Sequence, residues 1–221
     1  MAVWKNKNRI LASSFDYKLP AKCIATRPVS PSSSAKMLVK YLNSSEYVHL
    51  KFFNLTKILR KNDLLVINKT RVKNARLKGI KTDTGGKVEG LMVSAEKNGI
   101  WAMLKSNSTL KNGTKVTFLN DKYSQDVFIE KKVKNLYFLT ALLDEDLDFK
   151  LQQVGRVPLP PYIRRVRKDI GWPEESFNDQ DWYQTIFSNG PPKSIASPTA
   201  GLHFDKLLIS NLTNMGVHIV D

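Results

Sequence analysis

Four short stretches of this 221-residue chain combine residue types that bind or react. Residues 68–76 (NKTRVKNAR) come directly after the apolar run LLVI. Polar side chains at the end of a buried strand are where α/β folds put ligand contacts. Arg71 and Arg76 carry guanidinium forks that suit a carboxylate or a phosphate. Asn68 and Thr70 are candidate contacts beside them, unless the stretch is a turn whose Asn and Thr bond only the backbone. Residues 155–163 (GRVPLPPYI) hold three prolines in four positions, which stiffens the backbone and fixes Tyr162 in place, or simply makes a rigid crossover. Residues 181–187 (DWYQTIF) offer Trp182 or Tyr183 for base stacking, with Gln184 as a polar neighbour. Phe187 reads as core. Residues 194–204 (SIASPTAGLHF) put small residues and a proline before a helix, leaving free backbone N–H groups at its start. His203 in that stretch has the chemistry of an acid or base near neutral pH, although a lone histidine also serves structure.

The elements that must position these stretches fall into two textures. Strands are expected near Met37–Tyr41 and over YVHLKF, followed by a short helix NLTKILRKND with Asn54 as its N-cap. LLVIN reads as a buried strand, being a continuous apolar run. From residue 76 to about 143 come VEGLMVSA, GIWAMLKS, TKVTFL, DVFIEKKV and NLYFLTALL, separated by TGG, KNG, KNG and NDK. Five evenly spaced strands with little helix predict a small β-barrel. An acidic cluster and LDFKLQQVG then suggest a helix leading out of it. In FDKLLISNLTNMG, the residues Phe204, Leu208, Leu212 and Met215 share one helical face, and Gly216 is placed to end that helix. VHIV follows as a last apolar strand. The expectation is therefore a mixed α/β main domain (1–75 and 155–221) with a small β-barrel inserted over 76–154. Residues 1–14 read as a flexible leader.

Composition sets the function classes. With 42% hydrophobic and 10% aromatic residues, the chain has enough apolar material to collapse into a core. A single cysteine, Cys23, excludes a disulfide framework and a CxxC zinc module. His49, His203 and His218 are too far apart in sequence to suggest a histidine metal cluster, so no metal is expected. No apolar run has membrane-spanning length and no secretory leader is visible, which predicts a cytoplasmic protein away from membranes. The net charge of +15 is uneven. Residues 1–75 hold 15 basic and 3 acidic side chains, whereas 155–221 hold 7 of each. A basic first third attracts polyanions, nucleic acid foremost, although a genome biased toward Lys and Asn would leave the same mark. No GxGxxG after a strand and no GxxxxGK[ST] occurs, so neither a Rossmann-type methyltransferase nor a P-loop NTPase is supported.

Taken in order, FDY-LP, LLVINKTRV-AR, GGKVE, GRVPLPPYI, YQT and SPTAGLHF resemble the S-adenosylmethionine:tRNA ribosyltransferase-isomerase family of queuosine biosynthesis, from Phe15 to about Val220. PLPPYI and PTAGLHF are the most specific of these motifs. The resemblance implies a mixed α/β domain with an inserted β-barrel. It also implies S-adenosylmethionine as ribosyl donor and a tRNA with 7-aminomethyl-7-deazaguanine at the wobble position as acceptor, giving epoxyqueuosine. It places the pocket at Pro198, Thr199, Ala200, Gly201 and His203, together with Asn68, Thr70, Arg71, Arg76, Tyr162, Tyr183 and Gln184. Within that pocket His203 is expected to assist departure of adenine and Arg71 to meet the methionine carboxylate.

The sequence also departs from the family pattern. Lys69 stands where the family has Asp, Asn74 where it has Pro, and Ser32, Ala35 and Lys36 where it has an Arg-x-x-Ser-Arg pattern. Family chains continue well beyond residue 221. Two other readings follow from these departures: an inactive remnant or RNA-binding fragment of the family, and a stand-alone β-barrel RNA-binding module.

Overall fold

The computed structural model describes residues 11–142 and 146–221. Part of the expected acidic cluster (144–145) and most of the expected leader (1–10) lie outside the described residues. The first described segment is a chain of short 3-10 turns, Ala12–Phe15, Ala21–Cys23 and Ser32–Ser34, with only Ser33 buried.

A hairpin comes next, with β1 (Lys36–Lys40) antiparallel to β2 (Tyr47–Lys51). The helix expected after it is a 3-10 helix over Phe52–Lys57. Asn54 lies inside that helix rather than capping it, its side-chain oxygen accepting the Lys51 N–H at 3.1 Å. Strand β3 (Leu64–Val66) pairs in parallel with β10 (His218–Val220), and these two form a sheet of their own. The expectation that β3 is buried on both faces fails here. Leu65 packs on the last helix, but Leu64 and Val66 are 61% and 69% exposed. A two-stranded sheet has only one face covered, so an all-apolar strand leaves every second side chain in water.

The barrel has six strands, one more than expected. They are β4 (Arg76–Lys81), β5 (Lys87–Glu96), β6 (Gly99–Ser106), β7 (Lys115–Leu119), β8 (Ser124–Val133) and β9 (Leu136–Thr140). They close in the order β4-β5-β6-β9-β8-β7, every neighbouring pair antiparallel, which removes all sheet edges. The extra strand is RLKGIK, whose lysines disguise the inward Leu77. One of them, Lys81, is buried and donates to the Thr109 carbonyl at 2.7 Å. Val88, Met92, Ile100, Val116, Phe118, Val127, Ile129 and Leu139 fill the interior. Helix α1 (Leu147–Val154), capped by the Asp146 carboxylate, adds Leu147, Leu151 and Val154 to that core.

Among the described residues three further α-helices follow: α2 (Pro161–Asp169), α3 (Asp179–Trp182) and α4 (Lys206–Asn214). Helix α2 starts on a proline at its first position, where a missing N–H costs nothing. Helix α4 buries Leu208 and Leu212 beside Phe204 and Val217, and Gly216 ends it at φ 83°. The observed class is mixed α/β with a closed β-barrel. Among the described residues no helix is long and apolar enough to cross a membrane.

Candidate active site

The four chemical stretches meet around a small buried cluster of Val72, Val157, Leu159 and Tyr183. Each motif supplies one wall of that junction and holds its neighbour through the backbone. The Gln184 amide oxygen accepts the Val72 N–H at 3.0 Å, and its NH2 donates to the Val72 carbonyl at 2.8 Å. Lys73 N–H donates to the Ser194 carbonyl at 2.8 Å, and Ser194 N–H to the Arg71 carbonyl at 3.1 Å. Gly201 faces Thr185 so closely that a Cβ there would stand 2.9 Å from the threonine methyl. This contact explains the glycine in the 198–204 motif and fixes that turn against YQT.

Beside the cluster lies a cavity of about 290 Å3. Tyr162, Tyr183, Thr199 and His203 line it, with Leu159, Leu202 and Trp182 as apolar walls. Residues 25–29, Ser32 and Ala35 form the opposite side. Arg167 and Asp179 also border it, joined by two hydrogen bonds of 2.8 and 2.7 Å with side chains 3% and 5% exposed. The Arg167 Nε–H donates to the Thr26 carbonyl at 2.9 Å, so this buried pair ties the 25–29 wall to α2 and α3. A mostly apolar hollow with a few polar groups is the usual form of a small-molecule site.

His203 is half-buried, and its Nδ1 is 3.2 Å from the Ala200 carbonyl. A carbonyl only accepts, so this contact is a hydrogen bond where Nδ1 carries the ring proton. Burial pushes the Tyr183 phenol above its ordinary pKa; a hydrogen bond with the Ser197 backbone works the other way, and the nearby Tyr162 adds to the rise. Tyr183 is therefore a neutral hydroxyl at physiological pH.

The residues expected from sequence divide into groups. Tyr162, Tyr183, Thr199 and His203 come together on the cavity. Pro198, Ala200 and Gly201 are not on its wall; they build the turn Thr199–His203 that presents the other two. Gln184 holds Val72 with its whole amide, so it positions the wall rather than facing the cavity. Asn68 accepts the Thr70 N–H at 2.8 Å in a side-chain turn, and neither residue lines the cavity. Two arginines lie away from this cavity. Arg71 borders a separate, larger cleft. Arg76 is held by two carboxylates, Glu175 at 2.7 Å and Glu89 at 2.8 Å, and lines neither opening.

Besides Arg167, which Asp179 holds, the cation bordering the cavity is Arg27, whose guanidinium stacks on the Trp172 ring at 5.3 Å. Sequence reasoning missed it, and it missed Arg167 and Asp179. Arg167 lies in a basic run, RRVRK, that reads as a solvated face, and Asp179 in a loop-like acidic stretch. Lys69, the charge reversal in its motif, points to neither opening; its Nζ is 2.6 Å from the Asp221 carboxylate. Among the described residues no three His, Cys, Asp or Glu side chains gather as a metal site would need.

The family model for queuosine biosynthesis proteins matches residues 12–221. S-adenosylmethionine:tRNA ribosyltransferase-isomerases of Staphylococcus aureus strains JH9 and Newman are 36% identical over 210 residues, covering 93% of this chain and 57% of theirs. A crystal structure of an S-adenosylmethionine tRNA ribosyltransferase from Thermotoga maritima aligns over 94% of this chain and 56% of that chain, at 22% identity and a TM-score of 0.36. The chain spans little more than half the length of the curated relatives it matches. By its motifs and by the extent of the family match, the chain belongs to the queuosine biosynthesis protein family.

Proposed function

We propose that this chain carries the S-adenosylmethionine site of a cytoplasmic tRNA ribosyltransferase-isomerase. The reaction moves the ribosyl group of S-adenosylmethionine onto 7-aminomethyl-7-deazaguanine at the tRNA wobble position. Epoxyqueuosine forms, and adenine and methionine leave. The observation that carries the reading is the meeting of Tyr162, Tyr183, Thr199 and His203, from three separate motifs, on one cavity.

The roles follow from the chemistry of the donor. A sulfonium acidifies the ribose C–H next to it, so a base can start the ring rearrangement. Adenine leaves only as its nitrogen gains a proton or a strong hydrogen bond, and His203 is the titratable imidazole on the cavity. Tyr183, kept neutral by burial, supplies a hydroxyl donor. The methionine carboxylate takes Arg27 as its partner, in place of the Arg71 expected from sequence.

Calorimetry of S-adenosylmethionine with purified 1–221, run beside a thermal melt, tests the reading. Saturable binding lost in Arg27→Ala, then adenine release with a tRNA bearing the modified base, supports it. Binding without adenine release leaves the second reading, a non-catalytic member of the family. No binding by a cooperatively folded chain overturns the roles assigned to the cavity. His203→Ala in a form that releases adenine should cut turnover sharply, and near-normal turnover removes it from the mechanism.

A further inference from the structure

The cleft that holds Arg71 is about 650 Å3 and adjoins the His203 cavity, since Asp179 borders both. It opens where the β7–β8 turn, helix α1 and residues 175–180 come together. Each of these three places puts one aromatic ring into it: Tyr123 (50% exposed), Phe149 (57%) and Phe177 (86%). Single exposed rings are ordinary on a protein surface. Three of them, brought from separate elements to one concavity, form a patch of the kind that marks a binding surface.

The polar groups say what it binds. Arg71, Lys122 and Arg156 border the cleft. Its buried carboxylates are already matched: Glu175 lies against Arg76, Lys78 and Arg156 at 2.7, 2.8 and 3.6 Å, and Asp179 against Arg167 at 2.7 Å. Arg71 and Lys122 have no carboxylate partner among the described residues, so the free charge is two cations against Asp121. Flat aromatic faces beside unmatched cations suit bases that stack and phosphates that pair. A paired stem hides its base faces, whereas a loop splays them out.

We infer that this cleft holds unpaired nucleotides of an RNA loop, with Tyr123, Phe149 and Phe177 stacking on bases and Arg71 and Lys122 meeting phosphates. The nucleotide that reacts would enter the adjoining cavity while its neighbours stay on these rings. The choice of RNA rests on the function proposed above; the stacking geometry does not depend on the cavity chemistry.

The test compares an RNA stem-loop with the same stem closed as a full duplex, each titrated against purified 1–221. A fluorescent adenine analogue in the loop reports stacking directly. The chain should prefer the stem-loop and change the analogue's emission. Tyr123→Ala, Phe149→Ala and Phe177→Ala should each weaken stem-loop binding about five-fold or more, with duplex binding unchanged. All three rings are exposed, so thermal melts should stay at the parent value, and S-adenosylmethionine affinity should too. Equal affinity for loop and duplex, unchanged binding in the three variants, or an equal loss on both RNAs overturns the inference. Saturable S-adenosylmethionine binding with no loop preference overturns this inference alone. Loop preference without S-adenosylmethionine binding upholds it and overturns the transferase reading.

Discussion

The side-chain amide of Gln184 grips Val72 by both backbone groups, N–H at 3.0 Å and C=O at 2.8 Å, across 112 positions of sequence. This makes Gln184 act like a neighbouring strand for a segment whose other backbone partner is the single bridge to Ser194. Val72 is 3% exposed, so neither group has water to fall back on. Gln184→Ala should lower stability by about 2 kcal/mol or more, because two buried backbone groups lose their partner. Gln184→Glu keeps the acceptor and loses the donor, and should fall between. Chemical denaturation of the three proteins checks the order; equal midpoints would show that the grip contributes nothing.

The buried Arg167–Asp179 pair makes a sharper prediction. Each partner alone is a charge inside protein, so Asp179→Asn or Arg167→Met should cost about 3–5 kcal/mol. Replacing both with apolar residues, Arg167→Met with Asp179→Leu, should be less damaging than either single change, since no unmatched charge remains. A double-mutant cycle on denaturation midpoints reads this. The cavity readout differs from the stability readout: the double variant still loses the hydrogen bond to Thr26, so S-adenosylmethionine binding should stay impaired even where the fold recovers.

These two contacts also show how far the sequence could be read. The motifs located the cavity because rigid loops and small residues are spelled locally, as in PLPPYI and PTAGLH. The barrel was legible from alternation and turn residues, short of β4, whose lysines hide its single inward leucine. What stayed hidden depends on distant partners. Gln184 looked like a ligand contact until Val72 occupied its amide, and Arg76 looked like a free fork until Glu89 and Glu175 filled it. LLV read as buried because its composition is apolar, yet only its partner strand β10 and one covering helix decide which faces are dry.

Asp205 should contribute to acid sensitivity. Its carboxylate caps α4 through the Leu208 N–H at 2.9 Å and reaches back to the Ser33 N–H at 3.3 Å. Burial raises its pKa, but the hydrogen bonds from Ser33 and from the Leu208 and Leu207 N–H groups outweigh that and leave it below the ordinary carboxylate value. A pKa depressed by folding contributes stability that is present above the unfolded value of about 3.9 and is lost as pH falls through the folded value. Asp205→Asn, which still caps a helix, should flatten the stability profile in that acid range with little change near neutrality. Melting temperatures from about pH 6 downward test it; parallel acid limbs in parent and variant would assign the titration elsewhere.

The close approach of Gly201 to Thr185 predicts a rescue. Gly201→Ala would place its new methyl 2.9 Å from the threonine Cγ2, a branched side chain with little freedom to move. The variant should melt lower and bind S-adenosylmethionine more weakly, because the turn carrying Thr199 and His203 must shift. Adding Thr185→Ser removes the opposing methyl and should restore both. A melt restored without ligand binding would show that the contact serves folding alone.

Arg27 and Arg71 separate the two openings by experiment. Arg27 borders the His203 cavity and Arg71 borders the aromatic cleft, so one should govern the amino-acid end of S-adenosylmethionine and the other RNA. Loss of a charged hydrogen-bond partner costs about 1.5–3 kcal/mol, so Arg27→Ala should weaken S-adenosylmethionine roughly ten-fold or more. Decarboxylated S-adenosylmethionine lacks the group that Arg27 meets, so parent and Arg27→Ala should bind it alike. Arg71→Ala should leave both small molecules unaffected and lower the salt dependence of RNA binding by about one phosphate contact. The reverse pattern, with Arg71 governing the carboxylate, would mean that the two openings join into one site when the donor is bound.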